Sequence, residues 1–307
     1  MKINLPVPNS MHLDAITQPW EYGLVGHQVI EAARLADELG YHKLMLGEHF
    51  IVPRPFVKFS GGHYFSSTVA LGVLAGATRR IRLASSLTIL PLQNPVVQAK
   101  DWASLDWLSG GRAVPMFGVG WMEDEFNILN VPFKRRGAMS EEYVRAMIAL
   151  WHSDSPSFQG EFIQFDNAVF EPKPVQNPMP LWFGGDADPV LNRIARHADG
   201  WAPFQVTPEK FREKLDYIRS RPDYHGRPLE VFLPQEMLNV SATHEVKGDD
   251  RGLGQWDAQR IIDQCEWLAD LGVTETTIPA PPLADFEAYQ DRLRWVAAEI
   301  MPAVAAL

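Results

Sequence analysis

The residue type best suited to proton transfer stands directly after a short apolar run. His49, preceded by the acid Glu48, follows the segment LMLG. The ordinary pKa of histidine lies near neutral pH, so an imidazole can give or take a proton during turnover. We interpret His49 as a catalytic proton donor or acceptor and Glu48 as a carboxylate that tunes it. A histidine bonded to a neighbouring backbone group or carboxylate fits the same pattern equally well.

A second candidate is the turn formed by Gly184, Gly185 and Asp186, which follows an apolar run and opens a helical segment. Bare backbone N–H groups and the helix dipole at such a turn can hold a phosphate. Glycine is also the ordinary residue of any tight turn, and the pair alone favours that plain interpretation.

The third candidate is the basic cluster Lys134, Arg135 and Arg136. A solvated surface run is the commoner meaning of such a cluster. In an acidic protein, however, basic groups near a binding site would help to capture an anionic cofactor tail or a phosphate. Trp121 offers a stacking surface, although a Trp at the end of a strand is more often part of the core.

The chain lacks the sequence motifs of several classes of enzyme. The nine histidines are scattered, and no His-Glu-x-x-His segment occurs, so we expect no metal site. The chain also contains neither a Walker motif nor a glycine-serine nucleophile elbow. Phosphoryl transfer and serine hydrolysis are therefore disfavoured.

Composition narrows the choice of partners and compartment. The chain of 307 residues carries 28 basic and 38 acidic side chains, a net charge of −10, which argues against nucleic acid as the main partner. A single cysteine, Cys265, gives no reason to expect an oxidising compartment, and we expect a cytoplasmic protein. No apolar stretch approaches the roughly 20 residues that span a bilayer, so no membrane role is indicated.

Short apolar runs alternate with segments of helical spacing along the whole chain. The expected strands are Ile3 to Val7, Lys43 to Gly47, Ile81 to Leu87, Ala113 to Gly118, Leu181 to Phe183, Gly200 to Pro203, a segment within Glu230 to Ser241, and Thr274 to Pro279. Helices should begin after the capping residues Asn94, Thr207 and Asp257. Residues 158–172 resemble an inserted hairpin, and the polar segment 242–256 is expected to be a mobile loop.

Eight strands, each followed by a helix, predict one α/β domain over residues 1–307, a (β/α)₈ TIM barrel. Catalytic groups of such barrels lie at the carboxyl ends of the strands. His49 and the turn at Gly184 both occupy such positions.

Three separated segments together resemble the luciferase-like flavin and deazaflavin oxidoreductases. They are residues 80–126, from RIRLASSLTILPLQNP to FGVGWMEDEF, residues 181–201, LWFGGDADPVLNRIARHADGW, and GEHF at 47–50. The likeness covers most of residues 1–203 and is weaker beyond them. The subgroup it resembles most uses coenzyme F420, an 8-hydroxy-5-deazaflavin.

The resemblance implies a TIM barrel with an insertion after strand 4 and a flavin-type ring across its mouth, with His49 facing the reacting edge. A cis peptide bond is expected at Ser86–Leu87, or else at Ser85–Ser86. The implied cofactor contacts are Ser86, Leu87, Gly120, Trp121, Arg136, Gly184, Gly185 and Asp186. One departure is Met116, which stands where the family's glycine series begins.

Three functions are consistent with these observations. The leading one is hydride transfer between bound coenzyme F420 and a small organic substrate. The second is an FMN-dependent monooxygenase that uses oxygen and reduced flavin, with a flavin reductase as a partner. The third is a flavin-binding barrel without turnover, against which the proton-transfer pair Glu48 and His49 argues. The resemblance also implies a homodimer.

Overall fold

The computed structural model describes residues 1–13, 16–203, 206–235 and 256–307. Its strands are β1 Lys2–Pro6, β2 Lys43–Leu46, β3 Arg82–Ser85, β4 Thr88–Ile89, β5 Ala113–Val114, β6 Met116–Gly118, β7 Phe158–Gln159, β8 Gln164–Phe165, β9 Trp182–Gly184, β10 Gly200–Ala202, β11 Glu230–Val231 and β12 Glu275–Thr277. Its α-helices are α1 Gly26–Leu39, α2 Val57–Ser60, α3 Ser67–Ala77, α4 Pro95–Ser109, α5 Glu123–Ile128, α6 Arg136–His152, α7 Asp188–His197, α8 Pro208–Arg219, α9 Ala258–Leu271, α10 Phe286–Trp295 and α11 Met301–Val304.

The parallel strands form a ring of eight positions. They pair as two five-stranded sheets, in the orders β12-β1-β2-β3-β5 and β11-β10-β9-β6-β4. The strands β3 and β4 are successive pieces of the third position, and β5 and β6 are successive pieces of the fourth. The two sheets also meet where β11 lies beside β12. There the backbone N–H of Thr274 donates to the carbonyl of Val231 at 2.9 Å, and the N–H of Leu233 donates to that of Glu275 at 3.1 Å. The expected TIM barrel is therefore confirmed.

Two strands that the sequence predicts as continuous are each divided. The fourth position is interrupted at Pro115, which has no N–H to donate to a neighbouring strand. Its carbonyl still accepts a hydrogen bond from Trp182 at 3.0 Å. The third position is interrupted at Ser86–Leu87, and this peptide bond is cis, as expected.

Side chains from the strands fill the inside of the barrel, so it is a packed core and not a channel. One buried cluster contains Met45, Ala84, Val114, Met116, Trp182, Ala202 and Phe232, and Leu87 packs against it. Met116 is completely buried in this cluster. The larger core lies between the strands and the surrounding helices.

Three helices begin directly after the capping residues that the sequence predicts. The side chains of Asn94 and Asp257 accept hydrogen bonds from backbone N–H groups two and three residues later, at 2.9 and 3.1 Å. Thr207 makes the longer equivalent contact with Lys210 at 3.5 Å. These three capping predictions are confirmed.

An insertion follows the fourth barrel position, between β6 and β9. It contains α5, α6 and the antiparallel hairpin β7–β8. Glu142 of α6 is buried and accepts hydrogen bonds from the backbone of Glu161, Phe162 and Ile163 at 2.7 to 2.9 Å. One carboxylate thus fixes the hairpin turn to the helix that precedes it.

Part of the seventh strand prediction and most of the loop prediction fall outside the described residues. The strand begins at Glu230, as expected, whereas residues 236–241 and 242–255 are not among those described. Within the described part of the chain, no helix combines the length and apolar character that crossing a membrane requires. Cys265 is buried with a free thiol, and the cytoplasmic location stays a prediction.

Candidate active site

His49 follows the carboxyl end of β2 and is held there by an acidic side chain from a distant part of the chain. Its Nδ1 atom lies 2.7 Å from Oε2 of Glu125, in α5. The histidine side chain is 10% exposed, whereas that of Glu125 is almost completely buried. An ionised carboxylate only accepts hydrogen bonds, so this contact places a proton on Nδ1. The opposite atom, Nε2, makes no hydrogen bond with the described residues.

Glu125 also fixes the backbone that follows His49. Its Oε1 atom accepts hydrogen bonds from the N–H groups of Phe50 at 2.7 Å and Ile51 at 3.3 Å. Glu125 is not among the site residues that the sequence predicts. The signal was present in the segment MEDEF, but three consecutive acids do not reveal which one points inward. Glu123 and Asp124 are exposed, and only the third acid is buried.

Aromatic side chains surround the imidazole. The ring of Tyr64 meets that of His49 edge to face at 4.9 Å, and Trp121 does so at 6.1 Å. Phe56 packs against Trp121 at 5.8 Å. Trp121 remains 49% exposed, so it is an open surface at the mouth and not core.

Glu48 points away from its histidine neighbour. Its buried carboxylate accepts hydrogen bonds from the hydroxyl of Ser67 and from the N–H of Ile89 at 3.1 Å. Burial raises the pKa of Glu48 above its ordinary value. It connects the end of β2 to the first turn of α3 and to β4. Its effect on His49 stays a prediction, because the carboxylate bonded to that histidine belongs to Glu125.

Ser86 and Leu87 lie at the mouth of the barrel, and their contact with a cofactor stays a prediction. Both are partly exposed, whereas Ser85 and Thr88 on either side are buried. Leu87 reaches across the barrel to the end of β9, which is separated from β4 by β6: a Cβ atom on Gly184 would be 2.0 Å from Leu87 Cδ1. Gly184 is therefore needed so that Leu87 can lie flat across the end of the barrel.

Gly185 and Asp186 form a turn whose polar groups are largely used within the protein. The N–H of Gly185 donates to Ala202 at 3.2 Å, and its carbonyl accepts from the indole of Trp201 at 2.8 Å. Its φ of +111° is a conformation that favours glycine. The carbonyl of Asp186 accepts a hydrogen bond from Lys214 at 2.6 Å. This arrangement matches the plain-turn interpretation, and phosphate binding here stays a prediction.

Arg136 supports the loop that carries Trp121. Its Nε donates to the carbonyl of Gly120 at 3.1 Å and its Nη1 donates to that of Phe133 at 2.9 Å. Gly120 has a φ of +78°, and a Cβ there would lie 2.6 Å from the ring of Phe126. Arg135 forms an exposed ion pair with Glu161 at 2.6 Å. Two of the three cations in the basic cluster thus already have partners within the chain.

A separate group of charged side chains includes His42, Glu230 and Glu275, whose ligand atoms lie within 4.8 Å of one another. Lys43 donates to both carboxylate oxygens of Glu275, at 2.7 and 2.6 Å, and Lys2 pairs with Glu230. Burial lowers the pKa of Lys43 to about 8, although the carboxylate of Glu275 opposes this. Because ammonium groups already bind these carboxylates, we interpret the group as an ion-pair network and not as a metal site.

Comparison with known proteins gives three sequence findings. A family model described as luciferase-like monooxygenase matches residues 4–246. The uncharacterized protein Rv0953c of Mycobacterium tuberculosis is 32% identical over 298 residues, which cover 89% of this chain and 96% of that protein. The FMNH(2)-dependent dimethylsulfone monooxygenase of Pseudomonas putida is 28% identical over 184 residues, 57% of this chain and 50% of that protein.

A solved structure agrees with the fold over nearly the whole chain. The structure of an F420-dependent secondary alcohol dehydrogenase in complex with an F420-acetone adduct superimposes with a TM-score of 0.71 at 18% identity. The match covers 99% of this chain and 98% of the dehydrogenase. At this level of identity the similarity establishes the shared barrel fold.

Proposed function

The chain belongs to the luciferase-like monooxygenase family, whose members are oxidoreductases, and we propose that it transfers a hydride between bound coenzyme F420 and a small organic substrate. The observation that carries this proposal is the bond between His49 and the buried Glu125 at the barrel mouth. It orients an imidazole whose second nitrogen has no partner among the described residues. A proton donor or acceptor is what a substrate oxygen requires when hydride enters or leaves the adjacent carbon.

The mouth of the barrel fits a flat ring system. Leu87 lies across the packed interior, and the glycines at positions 118 and 184 add no Cβ atoms beside it. Trp121 and Tyr64 add aromatic surface near His49. When bound, a deazaflavin supplies a ring carbon that carries hydride. Ser86, Leu87, Gly120 and Trp121 would hold the ring, and Arg136, Gly184, Gly185 and Asp186 would lie nearer its phosphate-bearing side.

His49 would hold or release the proton at Nε2, while Glu125 holds Nδ1 and fixes the tautomer. Glu48 would act indirectly. Its hydrogen bonds with Ser67 and Ile89 fix the end of β2, which carries His49. In this proposal Glu125 and Glu48 are positioning residues, and His49 is the group that contacts the substrate.

The choice of F420 rests on the subgroup likeness of residues 80–126 and on the nearby cations Lys134, Arg135 and Arg136. These cations suit a coenzyme that carries a phosphate and a glutamate tail. The alternative is FMN-dependent oxygenation, with a flavin reductase as partner, and the FMNH(2)-dependent relative favours it. The two cofactors differ at the reacting ring atom, since nitrogen in reduced flavin allows activation of oxygen.

Parallel titration of the purified protein with F420 and FMN, followed by fluorescence quenching, tests the proposal. We expect F420 to bind at least about tenfold more tightly than FMN, a difference of about 1.4 kcal/mol. Replacing the exposed Lys134 by Gln should weaken F420 binding, mainly at low ionic strength. Replacing Lys210, exposed on α8, serves as the control. Binding of FMN without binding of F420 would make the monooxygenase the better assignment.

We also propose a homodimer that forms through the outer face of α3. Val69, Gly72, Val73 and Gly76 on this face are all exposed, and the face carries no charged side chain. Cβ atoms added at the two glycines would meet nothing within 4 Å, so a second helix has room to approach closely. Val97, exposed on the neighbouring α4, extends the apolar surface. Exposed apolar surface of this kind is typical of protein interfaces.

A further inference from the structure

A large groove adjoins the candidate active site on the side of the loop that follows β2. Its volume is about 970 Å³, and its walls come from segment 51–63, from His12 and Tyr22, and from Ile128 of α5. Ile51 in its wall donates to the same Glu125 carboxylate that holds His49. The groove and the proposed site of proton transfer are therefore built on one carboxylate. We call it the basic groove, after the charged residues that line it.

The charge of the basic groove is opposite to that of the whole protein. Arg54 and Lys58 line it, no carboxylate does, and the chain as a whole has a net charge of −10. Neither cation forms an ion pair with a described carboxylate. They are four residues apart on successive helical turns, a spacing at which like charges repel. Glu125 of α5 is buried behind the wall, where it accepts the N–H of Ile51, and the exposed acids Glu123 and Asp124 are not part of the lining.

Two stacked histidines form another wall of the basic groove. The rings of His12 and His63 lie 4.2 Å apart at 18°. Both Nε2 atoms contact Asn9, that of His63 reaching its backbone carbonyl at 3.1 Å. A carbonyl only accepts, so Nε2 of His63 is a donor. Burial lowers the pKa of His12, and the neighbouring His63 lowers it further. The stacked rings give this wall a flat aromatic surface, and the groove also contains the cationic side chains of Arg54 and Lys58.

The backbone behind this wall is tightly fixed. His12 donates to the carbonyl of His63 at 3.0 Å, and Phe65 donates to that of Ser10 at 3.0 Å. Gly61 lies so close to the same segment that an added Cβ would be 1.4 Å from the carbonyl oxygen of His12. The described walls of the groove are thus preformed, as expected for a binding site for small molecules.

We propose that the basic groove binds the anionic end of the substrate, which makes the substrate class an organic carboxylate with a flat or apolar body. Ile51, Val57 and Ile128 suit such a body, and Arg54 and Lys58 suit its carboxylate. The glutamate tail of F420 has the same anionic chemistry, but it lacks an apolar body to match these walls. This inference rests on the proposed function for its reaction and on the groove alone for its ligand class.

Binding of a probe pair tests the ligand class without any turnover. Phenylbutyrate and its neutral amide, phenylbutyramide, are titrated calorimetrically at low ionic strength. We expect the carboxylate to bind about tenfold more tightly than the amide, and the Arg54→Gln/Lys58→Gln variant to lose this preference. The matched control, Lys210→Gln/Arg219→Gln, removes one lysine and one arginine from α8 and should retain the preference for the carboxylate probe. Equal binding of the two probes, or a preference unchanged in the groove variant, overturns the proposal.

Titration with F420 separates the two sources of negative charge. Unchanged F420 affinity in the Arg54→Gln/Lys58→Gln variant supports the substrate assignment. A clear loss of F420 affinity overturns it and assigns the groove to the coenzyme tail. If the protein binds neither F420 nor FMN but keeps the charge-dependent preference for phenylbutyrate, the proposed function fails while the groove assignment stands.

Discussion

Nδ1 of His49 lies 2.7 Å from the carboxylate of Glu125, although 76 residues separate them in the sequence. The contact joins the end of the second barrel strand to the insertion after the fourth. Because the same carboxylate also accepts the N–H groups of Phe50 and Ile51, it fixes both the ring and its backbone. The proposed proton-transfer group is therefore set in place by a residue that does not itself face the substrate.

Replacing Glu125 by Gln should lower turnover by about 10–100-fold, because the amide no longer imposes one tautomer on His49. The pH profile of turnover should change as well, whereas the melting temperature should fall only slightly since an oxygen acceptor is retained. Glu123→Gln, two residues away and exposed, is the matched control. Full activity with an unchanged pH profile in Glu125→Gln would show that the contact is only structural.

Adding a methyl group at Gly184 should disturb the surface on which the ring is proposed to lie. In Gly184→Ala the new Cβ displaces the end of Leu87, which lies 2.0 Å from that position. Since Leu87 is partly exposed and can rotate, we expect weaker cofactor binding with a small change in melting temperature. Gly137→Ala, where an added Cβ meets nothing within 4 Å, is the control. Equal cofactor affinity in both variants would place the ring elsewhere.

The pH dependence of stability should reveal the contact between α6 and α7. Burial opposes ionisation of Glu141, but a hydrogen bond with His197 and the charges of Arg193 and Arg196 lower its pKa to about 2. Because the pKa of Glu141 is lower in the folded protein than its ordinary value of 4.5, its ionised carboxylate stabilises the fold at pH values above about 5. This stabilisation is lost as the pH falls from about 5 to about 2.

We expect Glu141→Gln to lower the free energy of unfolding by about 2 kcal/mol at pH 7, with a smaller loss at pH 3. Urea denaturation at both pH values measures this difference. Glu213→Gln, exposed on α8, should have little effect at either pH. An equal loss at pH 7 and pH 3 would contradict the assignment.

A charge on the apolar face of α3 should separate the proposed dimer. Val73 is 51% exposed, so Val73→Glu leaves the monomer core intact while placing a carboxylate in the contact surface. Sedimentation velocity should show a dimer for the parent protein and a monomer for the variant. Glu213→Lys provides a surface control of changed charge. A parent protein that sediments as a monomer would rule out this interface.

Features that depend on neighbouring residues were predictable from the sequence. Asn94 and Asp257 cap helices, and His49 follows a strand, because each pattern is complete within a few residues. The partner of His49 was not predictable in this way, since the rotation of α5 decides which acid of MEDEF faces inward. The sequence of the turn at Gly184 favours a plain turn and leaves phosphate binding open, but it does not predict the packing of this glycine against Leu87. That contact joins two strands about 100 residues apart in sequence, and no local pattern encodes it.

In the proposed function, His49 moves a proton at the reacting edge of a bound deazaflavin. Its test is the single-turnover rate of F420 reduction or oxidation, by stopped-flow absorbance, in the parent protein and in His49→Ala. The substrate is found by screening alcohols and carbonyl compounds with and without a carboxylate group. We predict a rate about 10²–10⁴-fold lower in the variant at unchanged F420 affinity and melting temperature. An unchanged rate would show that His49 takes no part in the proton transfer.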